Sequence, residues 1–134
     1  VWTKTRPTSS ANPHLVLKAI ELTYSCKQSI ELALKFRESF FIEALDISHL
    51  SVLFSIVEQA GLDSTRVNNA LVDGSAMADL MRNYQQAKAL ALKGSPSFII
   101  DNGRQILYGN VGYRVLLANI EAQLNVPEND VSWC

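Results

Sequence analysis

Residues 93–110 read Lys-Gly-Ser-Pro-Ser-Phe-Ile-Ile-Asp-Asn-Gly-Arg-Gln-Ile-Leu-Tyr-Gly-Asn and predict a β-hairpin. Gly94 is expected to end a helix, because glycine readily adopts the left-handed conformation that follows many helices. The apolar run in Ser97–Ile100 predicts a first strand, and Gln105–Tyr108 predicts the second. Between the strands, Asn102-Gly103 tolerates the positive φ angles of a tight reversal.

Helical periodicity surrounds this hairpin, with five helices expected before it and one after it. Asn12 is predicted to cap the first helix, with Pro13 as its first residue. The later helices are expected at Ser29–Leu45, from Leu50 to Gly61, after Asp63, from Ser75 to Gly94, and at Tyr113–Leu124. The sequence therefore predicts a helix-rich α/β fold.

Apolar spacing on these helices predicts their buried faces. Leu22 and Cys26 continue the apolar face of the first helix toward its end. On the second helix Ile30, Leu34 and Phe41 share one side, and Phe36 and Phe40 widen it, so burial on more than one face is expected. Met77, Met81 and Tyr84 are expected to be core. Mixed charges on the first two helices predict solvated faces: Lys18, Glu21, Lys27, Glu31, Lys35, Arg37, Glu38 and Glu43.

Composition limits the functional classes. The chain has 134 residues, 48% of them hydrophobic, and a net charge of −1 with a pI near 6.1. It is sized for one soluble domain with a core of its own. Scattered basic residues argue against a nucleic-acid partner, and no apolar run is long enough to span a membrane. Because the sequence begins with Val1 and not with methionine, we expect a fragment or a processed product.

The candidate reactive side chains are few. Cys26 and Cys134 are far apart and fit no metal-ligand spacing, which favours two unpaired thiols in a reducing compartment. Cys26 is predicted to be packed in the core, and Cys134 to have no role. His14 and His49 lack acidic or cysteine partners at ligand spacing, so we expect surface histidines and no metal site.

The predicted sheet is incomplete. Two strands alone form a marginal sheet, yet Phe98, Ile99 and Ile100 are apolar at consecutive positions, as in a strand covered on both faces. We find no further convincing strand in the sequence. Either the hairpin packs alone against helices, or its neighbouring strands lie on another chain or outside these residues, and we favour the second interpretation.

The order of helix, Gly-Ser-Pro-Ser-Phe, strand, Asp-Asn-Gly-Arg, strand and Tyr-Gly-Asn-Val-Gly-Tyr-Arg resembles the C-terminal half of a DsbA-like thioredoxin-fold protein. The preceding helices resemble the helical insertion of that superfamily. The resemblance implies a lead-in at 1–11, a helical insertion at 12–93, the C-terminal part of a thioredoxin-like fold at 94–125, and a tail at 126–134. Trp2 is expected to anchor the lead-in.

The resemblance also implies two substrate-binding residues. Pro96 corresponds to the family's cis-proline and Ser95 to the residue before it, which contacts the substrate backbone and tunes the redox pair. The family places a strand and a Cys-x-x-C helix earlier in the chain, and this sequence contains no Cys-x-x-C. We therefore expect no catalytic residue in this chain and no redox activity from it alone, which leaves its status as an enzyme open.

The favoured function is a fragment of a thiol–disulfide oxidoreductase acting on protein or peptide thiols and disulfides without a cofactor. A bacterial cytoplasm is favoured over the periplasm. One alternative is a kappa-class glutathione transferase or hydroxychromene-carboxylate isomerase, which the resemblance links to glutathione. The other is a non-enzymatic interaction module that forms a homodimer through an exposed edge, either Ser97–Ile100 or Gln105–Tyr108.

Overall fold

A computed structural model of the chain describes residues 3–125. The chain divides into two compact units, Val1–Gln85 and Gln86–Cys134. The helices are α1 (Ala11–Thr23), α2 (Cys26–Phe41), α3 (Leu50–Gln59), α4 (Ser64–Val72), α5 (Ser75–Ala89) and α6 (Tyr113–Leu124); the strands are β1 (Ser97–Ile100) and β2 (Gln105–Tyr108). The predicted helix-rich α/β class and the order of its elements are confirmed. Trp2 and the tail at 126–134 lie outside the described residues.

The first unit has an apolar core formed by α1, α2, α3, α4 and the start of α5. Helix α1 contributes Val16, Ala19 and Ile20, which share one face at helical spacing and are fully buried. This face packs against α2 and α4. The other core residues are Leu32, Phe36, Leu53, Ile56, Val57, Val67, Ala70 and Ala76.

The start of α1 differs from the prediction. Its N-cap is Ser10 without a side-chain hydrogen bond, and Asn12 is already helical. The Asn12 side chain instead donates from Nδ2 to the carbonyl oxygen of Ser48, at 2.7 Å. Pro13 is the third helical residue, where it is still tolerated because the first N–H groups of a helix have no intrahelical partner.

Helix α2 begins three residues earlier than predicted. Ser25 is its N-cap, and the Ser25 hydroxyl accepts a hydrogen bond from the Gln28 N–H at 3.1 Å. Cys26 is therefore the first residue of α2, where it is exposed, and the expectation that it is packed in the core near the end of α1 is wrong.

The two apolar sides of α2 have different environments. Phe36 and Phe40 are buried, as predicted. Ile30, Leu34 and Phe41 are each more than half exposed, so their predicted burial is wrong for the described part of the chain. Met77, Met81 and Tyr84 on α5 are likewise exposed, against the expectation that they are core.

The junctions around α3 and α4 match the prediction. Gly61 follows α3 with a φ of 78°, in the left-handed region that favours glycine. Asp63 caps α4 by accepting a hydrogen bond from the Thr65 N–H at 2.8 Å. Gly74 closes α4 with a φ of 82°.

Among residues 3–125, no helix has the length and apolar character needed to cross a bilayer.

Helix α5 ends at Ala89, five residues before the predicted stop at Gly94. The Ala91 N–H donates to the Lys88 carbonyl and the Leu92 N–H donates to the Ala87 carbonyl, which together form a Schellman motif. Ala91 occupies its left-handed position with a φ of 51°. Alanine is unfavourable there because its Cβ crowds the following carbonyl, so the sequence signal for this helix end is weak.

Replacing this alanine should stabilise the protein. We expect Ala91→Gly to raise the free energy of unfolding by about 0.5–1 kcal/mol, since relief of the left-handed strain outweighs the greater flexibility of glycine in the unfolded chain. Urea denaturation measures the change. The matched control is Ala78→Gly on the exposed side of α5, which should cost about 1 kcal/mol. A loss of stability at both positions would contradict the assigned conformation of Ala91.

An ion-pair cluster joins α1 to α5 in the first unit. Lys18 is mostly buried, and its Nζ lies 2.7 Å from Glu21 Oε2 and 3.1 Å from Asp79 Oδ2. Arg82 also pairs with Asp79. Hydrogen bonds from Arg82 and Lys18 lower the pKa of Asp79. Burial opposes the charged form of Lys18, but hydrogen bonds and charges from Glu21 and Asp79 raise its pKa overall. Lys18, Glu21 and Asp79 therefore form a structural cluster, although a solvated helix face was expected.

This cluster should make stability depend on pH in the acid range. A carboxyl group with a lowered folded-state pKa stabilises the protein above its unfolded pKa of about 3.9 and loses this effect as the pH falls through the folded value. We therefore expect Asp79→Asn to lower the thermal midpoint at pH 6, and the difference from the unsubstituted protein to shrink toward pH 3. Thermal melts across this range test it.

The control is Glu31→Gln. Glu31 and Lys27 are both exposed and 4.0 Å apart. Such surface pairs contribute little, so this variant should follow the unsubstituted protein at each pH. A pH-independent effect of Asp79→Asn would mean that the charge of Asp79 is not what stabilises the α1–α5 contact.

Candidate functional site

The second unit contains the predicted hairpin. Strands β1 and β2 are antiparallel, and the opposed pairs are Ser97 with Tyr108, Phe98 with Leu107, Ile99 with Ile106, and Ile100 with Gln105. Both strand ranges agree with the sequence prediction. Side chains alternate between faces, so Phe98 and Ile100 share one face of the hairpin and Ser97 and Ile99 share the other.

The reversal between the strands uses the residues expected from the sequence. Asn102 and Gly103 have φ angles of 52° and 97°, and Asp101 also has a positive φ, of 50°. A short 3-10 turn covers Asp101–Gly103, and the Arg104 N–H donates to the Asp101 carbonyl at 2.9 Å. Three successive left-handed residues explain why asparagine, aspartate and glycine occupy this loop, since these residues tolerate that conformation best.

The loop before β1 holds the two predicted substrate-binding residues. The Ser95–Pro96 peptide bond is cis. Both residues are exposed. The Pro96 carbonyl accepts a hydrogen bond from the Gly109 N–H at 2.9 Å, and the Ser97 hydroxyl donates to the Gly94 carbonyl. These bonds fix the loop to the base of the hairpin. Within residues 3–125, nothing hydrogen-bonds to the backbone of Ser95.

The outer edge of β1 is also open in the described chain. Because the Gly109 N–H bonds to the Pro96 carbonyl, residues 96 and 109 form a hydrogen-bonded pair. Hydrogen-bonded and non-hydrogen-bonded pairs alternate along an antiparallel ladder, so the backbone groups of Ser97 and Ile99 point away from β2. The described residues supply only β2 as a partner for β1. The exposed backbone of Ser95 and the outward groups of β1 therefore lie along consecutive parts of the chain.

The hairpin is incompletely covered. None of its eight strand residues is fully buried by the described part of the chain, and Ile99 and Tyr108 are 39% and 44% exposed. The apolar run was expected to be covered on both faces, and residues 3–125 do not provide that cover. That its neighbouring strands lie on another chain or outside these residues stays a prediction.

Helix α6 is joined to β2 by side-chain amides. Gln105 Nε2 donates to Asn119 Oδ1, and Asn119 Nδ2 donates to the Val115 carbonyl at 2.7 Å. Gln105 lies opposite Ile100 in the register, so this link attaches α6 to the hairpin face that carries Phe98 and Ile100. Asn119 and Gln105 were not predicted as a pair, because a polar residue on an amphipathic helix gives no indication of its partner.

The other candidate residues lie outside the Ser95–Pro96 loop. Cys26 belongs to the first unit, and Cys134 lies outside the described residues. His14 is exposed in α1, and His49 is exposed beside Asp46, with Nε2 to Oδ2 at 3.6 Å. The described chain contains no group of three or more histidine, cysteine, aspartate or glutamate side chains placed to hold a metal ion.

The chain is similar to known proteins both in sequence and in fold. The family model DSBA-like thioredoxin domain matches residues 5–121. The ClpXP adapter protein SpxH of Halalkalibacterium halodurans is 28% identical over 102 residues, which are 76% of this chain and 33% of that protein. A crystal structure of a candidate protein disulfide isomerase from Nitrosomonas europaea superposes with a TM-score of 0.66 at 16% identity, covering 84% of this chain and 58% of that one. The chain thus spans a third of the curated relative and somewhat more than half of the structural one.

Proposed function

Because this chain belongs to the DsbA-like thioredoxin domain family, we propose that it provides the substrate-facing part of a thiol–disulfide oxidoreductase. In this proposal Ser95 and Pro96 bind an extended stretch of the substrate protein. The redox cysteine pair comes from a Cys-x-x-C helix that the family places earlier in the chain, since the 134 residues contain no such motif.

The observation that carries the proposal is the unpaired backbone of Ser95, directly before Pro96. Ser95 is exposed, and its N–H and carbonyl have no partner within residues 3–125. Backbone groups presented in this way can hydrogen-bond to an extended peptide, as an added strand does at the edge of a sheet. The hydrogen bond from Gly109 to the Pro96 carbonyl supports the loop, which reduces the entropy cost of ordering it on binding.

The proposed chemistry is thiol–disulfide exchange. The thiolate of the family's first cysteine attacks one sulfur of a substrate disulfide, forms a mixed disulfide, and releases the other sulfur as a thiolate. The second cysteine then displaces the bound substrate and closes the enzyme disulfide, so the substrate is reduced by two electrons; the reverse sequence oxidises a dithiol. The role of Ser95 is to align the substrate during both steps.

We predict that the 134-residue chain alone does not reduce insulin above the rate of the buffer with dithiothreitol. The reason is that neither Cys26 nor Cys134 has a second cysteine at the spacing of a redox pair. The turbidity assay for insulin reduction measures the rate. A protein that joins these residues to a family-type strand and Cys-x-x-C helix should be active.

Two controls make this result decisive. Cys26→Ser should leave the baseline of the chain unchanged, which excludes a contribution from its exposed thiol. In the joined protein, trapping a peptide as a mixed disulfide should slow amide exchange at Ser95, because the peptide backbone then pairs with it. Insulin reduction by the 134 residues alone, or unchanged exchange at Ser95 in the trapped complex, would contradict the proposal. Saturable glutathione binding instead would favour a glutathione-dependent relative of the family.

A second candidate is a binding module without redox activity. The match to SpxH favours it, since that protein is named as an adapter, and so does the open edge of β1. An adapter of this kind would use the outward backbone groups of Ser97 and Ile99 to recruit a strand from a partner or from a second copy.

This candidate predicts concentration-dependent dimerisation of the chain in sedimentation velocity. Ile99→Pro should weaken the dimer, because proline removes an N–H that points away from β2 and leaves the β1–β2 hydrogen bonds in place. Ile99→Val keeps the N–H and serves as the control. A chain that is strictly monomeric and whose strand edges are protected from amide exchange would argue against strand recruitment.

A further inference from the structure

An open groove lies between α2 and α3 in the first unit. It has a volume of about 440 Å³, and its lining includes Lys35, Glu38, Ser39, Glu43, Val52 and Ile56. A smaller hollow of about 100 Å³ lies on the same side of α2 and shares Lys35 with it. We call the larger cavity the α2–α3 groove. Its size is within the range of roughly 300–1,000 Å³ that is usual for ligand sites.

Ser39 distinguishes this groove from an ordinary surface depression. Three polar side chains are buried in the described chain. Two of them are satisfied internally: the Ser29 hydroxyl donates to the Leu17 carbonyl, and the Ser48 hydroxyl donates to Asp46 Oδ1. The third, Ser39, is only 7% exposed and lines the groove, but its hydroxyl has no partner within residues 3–125.

The Ser39 hydroxyl is buried but not sealed off from the space around it. No fully enclosed side-chain nitrogen or oxygen among the described residues lacks a hydrogen bond. The unpartnered Ser39 oxygen is therefore not fully enclosed, and the α2–α3 groove is the cavity that Ser39 lines. A hydroxyl that is otherwise buried and reaches only a groove is available to a ligand that enters it, because it can both donate and accept one hydrogen bond.

The charges beside Ser39 indicate which ligand fits. The groove is lined by Glu38, Glu43 and Lys35, which give it a net charge of −1. No cation, Lys35 included, lies within ion-pair distance of either carboxylate in the described chain. On the α3 side, half-buried Val52 offers apolar surface next to the core residue Ile56, which also lines the groove. Two carboxylates next to an accepting hydroxyl favour an ammonium or guanidinium group, and the apolar wall favours a hydrocarbon side chain near it.

We infer that the α2–α3 groove binds an extended basic segment of a partner protein. A lysine or arginine of that segment would lie between Glu38 and Glu43 and donate to the Ser39 hydroxyl, while a neighbouring aliphatic side chain would pack on Val52 and Ile56. The open groove and the adjoining hollow suit a peptide better than an enclosed small molecule. This binding site lies in the helical unit and does not depend on the redox assignment.

The test uses two fluorescein-labelled hexapeptides with blocked ends, one alternating leucine with lysine and the other alternating leucine with glutamate. Fluorescence anisotropy with the full 134-residue chain measures their dissociation constants. We expect the lysine peptide to bind about tenfold more tightly than the glutamate peptide at low salt, and the difference to fall at 300 mM salt because the carboxylates are on the surface. Amide NMR shifts should cluster on α2 and α3.

Single variants distinguish binding in the groove from a general attraction between opposite charges. Glu38→Gln and Glu43→Gln should each weaken binding of the lysine peptide about threefold, as expected for one exposed charge pair. Glu121→Gln, an exposed carboxylate on α6 with the same change in net charge, should have no effect. Ser39→Ala should weaken binding about fivefold, which is the usual contribution of one hydrogen bond.

Ser39→Ala also distinguishes binding from a structural role. Because the hydroxyl has no internal partner, the thermal midpoint of this variant should stay unchanged while its affinity falls. Equal affinity for both peptides, an equal loss with Glu121→Gln, or amide shifts outside α2 and α3 would each overturn the proposal.

Discussion

The need to satisfy backbone hydrogen bonds at the outer edge of β1 is the constraint on which the second unit depends. Every buried strand must pair its N–H and carbonyl groups, and an exposed edge readily recruits another strand. Within residues 3–125, β1 has β2 on one side and open backbone groups at Ser97 and Ile99 on the other. The same stretch continues into Ser95, where the proposed substrate contact lies. The proposed completion of the sheet and the proposed substrate binding would thus use neighbouring backbone groups.

Within residues 3–125, the first unit buries its apolar side chains and pairs its polar groups more completely than the hairpin does. Its core is continuous from α1 to the start of α5. Two of the three buried hydroxyls of the described chain, those of Ser29 and Ser48, bond internally, whereas Ser39 lines the groove without a partner. The Lys18–Asp79 ion pair adds a polar contact between α1 and α5. By contrast, none of the strand residues in the second unit is fully buried by the described chain. We expect the hairpin to open more easily than the helical core, since it buries less apolar surface.

Sequence reasoning predicted the elements well where a local rule applies. Asn102-Gly103 requires a reversal with positive φ, Asp63 caps a helix, and each signal depends on a few adjacent residues. Helix faces were harder, because α2 has apolar residues on two sides. Periodicity identifies both sides, but only the position of α1 and α3 decides that Phe36 is buried and Leu34 is exposed. The end of α5 was missed for a different reason, since Ala91 occupies a position that glycine usually marks.

The two candidate sites also differ in whether the sequence alone could predict them. Ser95 and Pro96 were predicted because the resemblance assigns a role to each position in a short motif. Ser39 was not, since a lone serine in a helix gives no signal until the partners of its hydroxyl are known. Ser29 and Ser39 are chemically identical residues on α2, and both are buried. Ser29 reaches the Leu17 carbonyl across the α1–α2 contact, whereas the Ser39 hydroxyl has no partner among residues 3–125. What makes one serine structural and the other a candidate ligand-binding residue is therefore the neighbouring helix, which is a property of packing and not of local sequence.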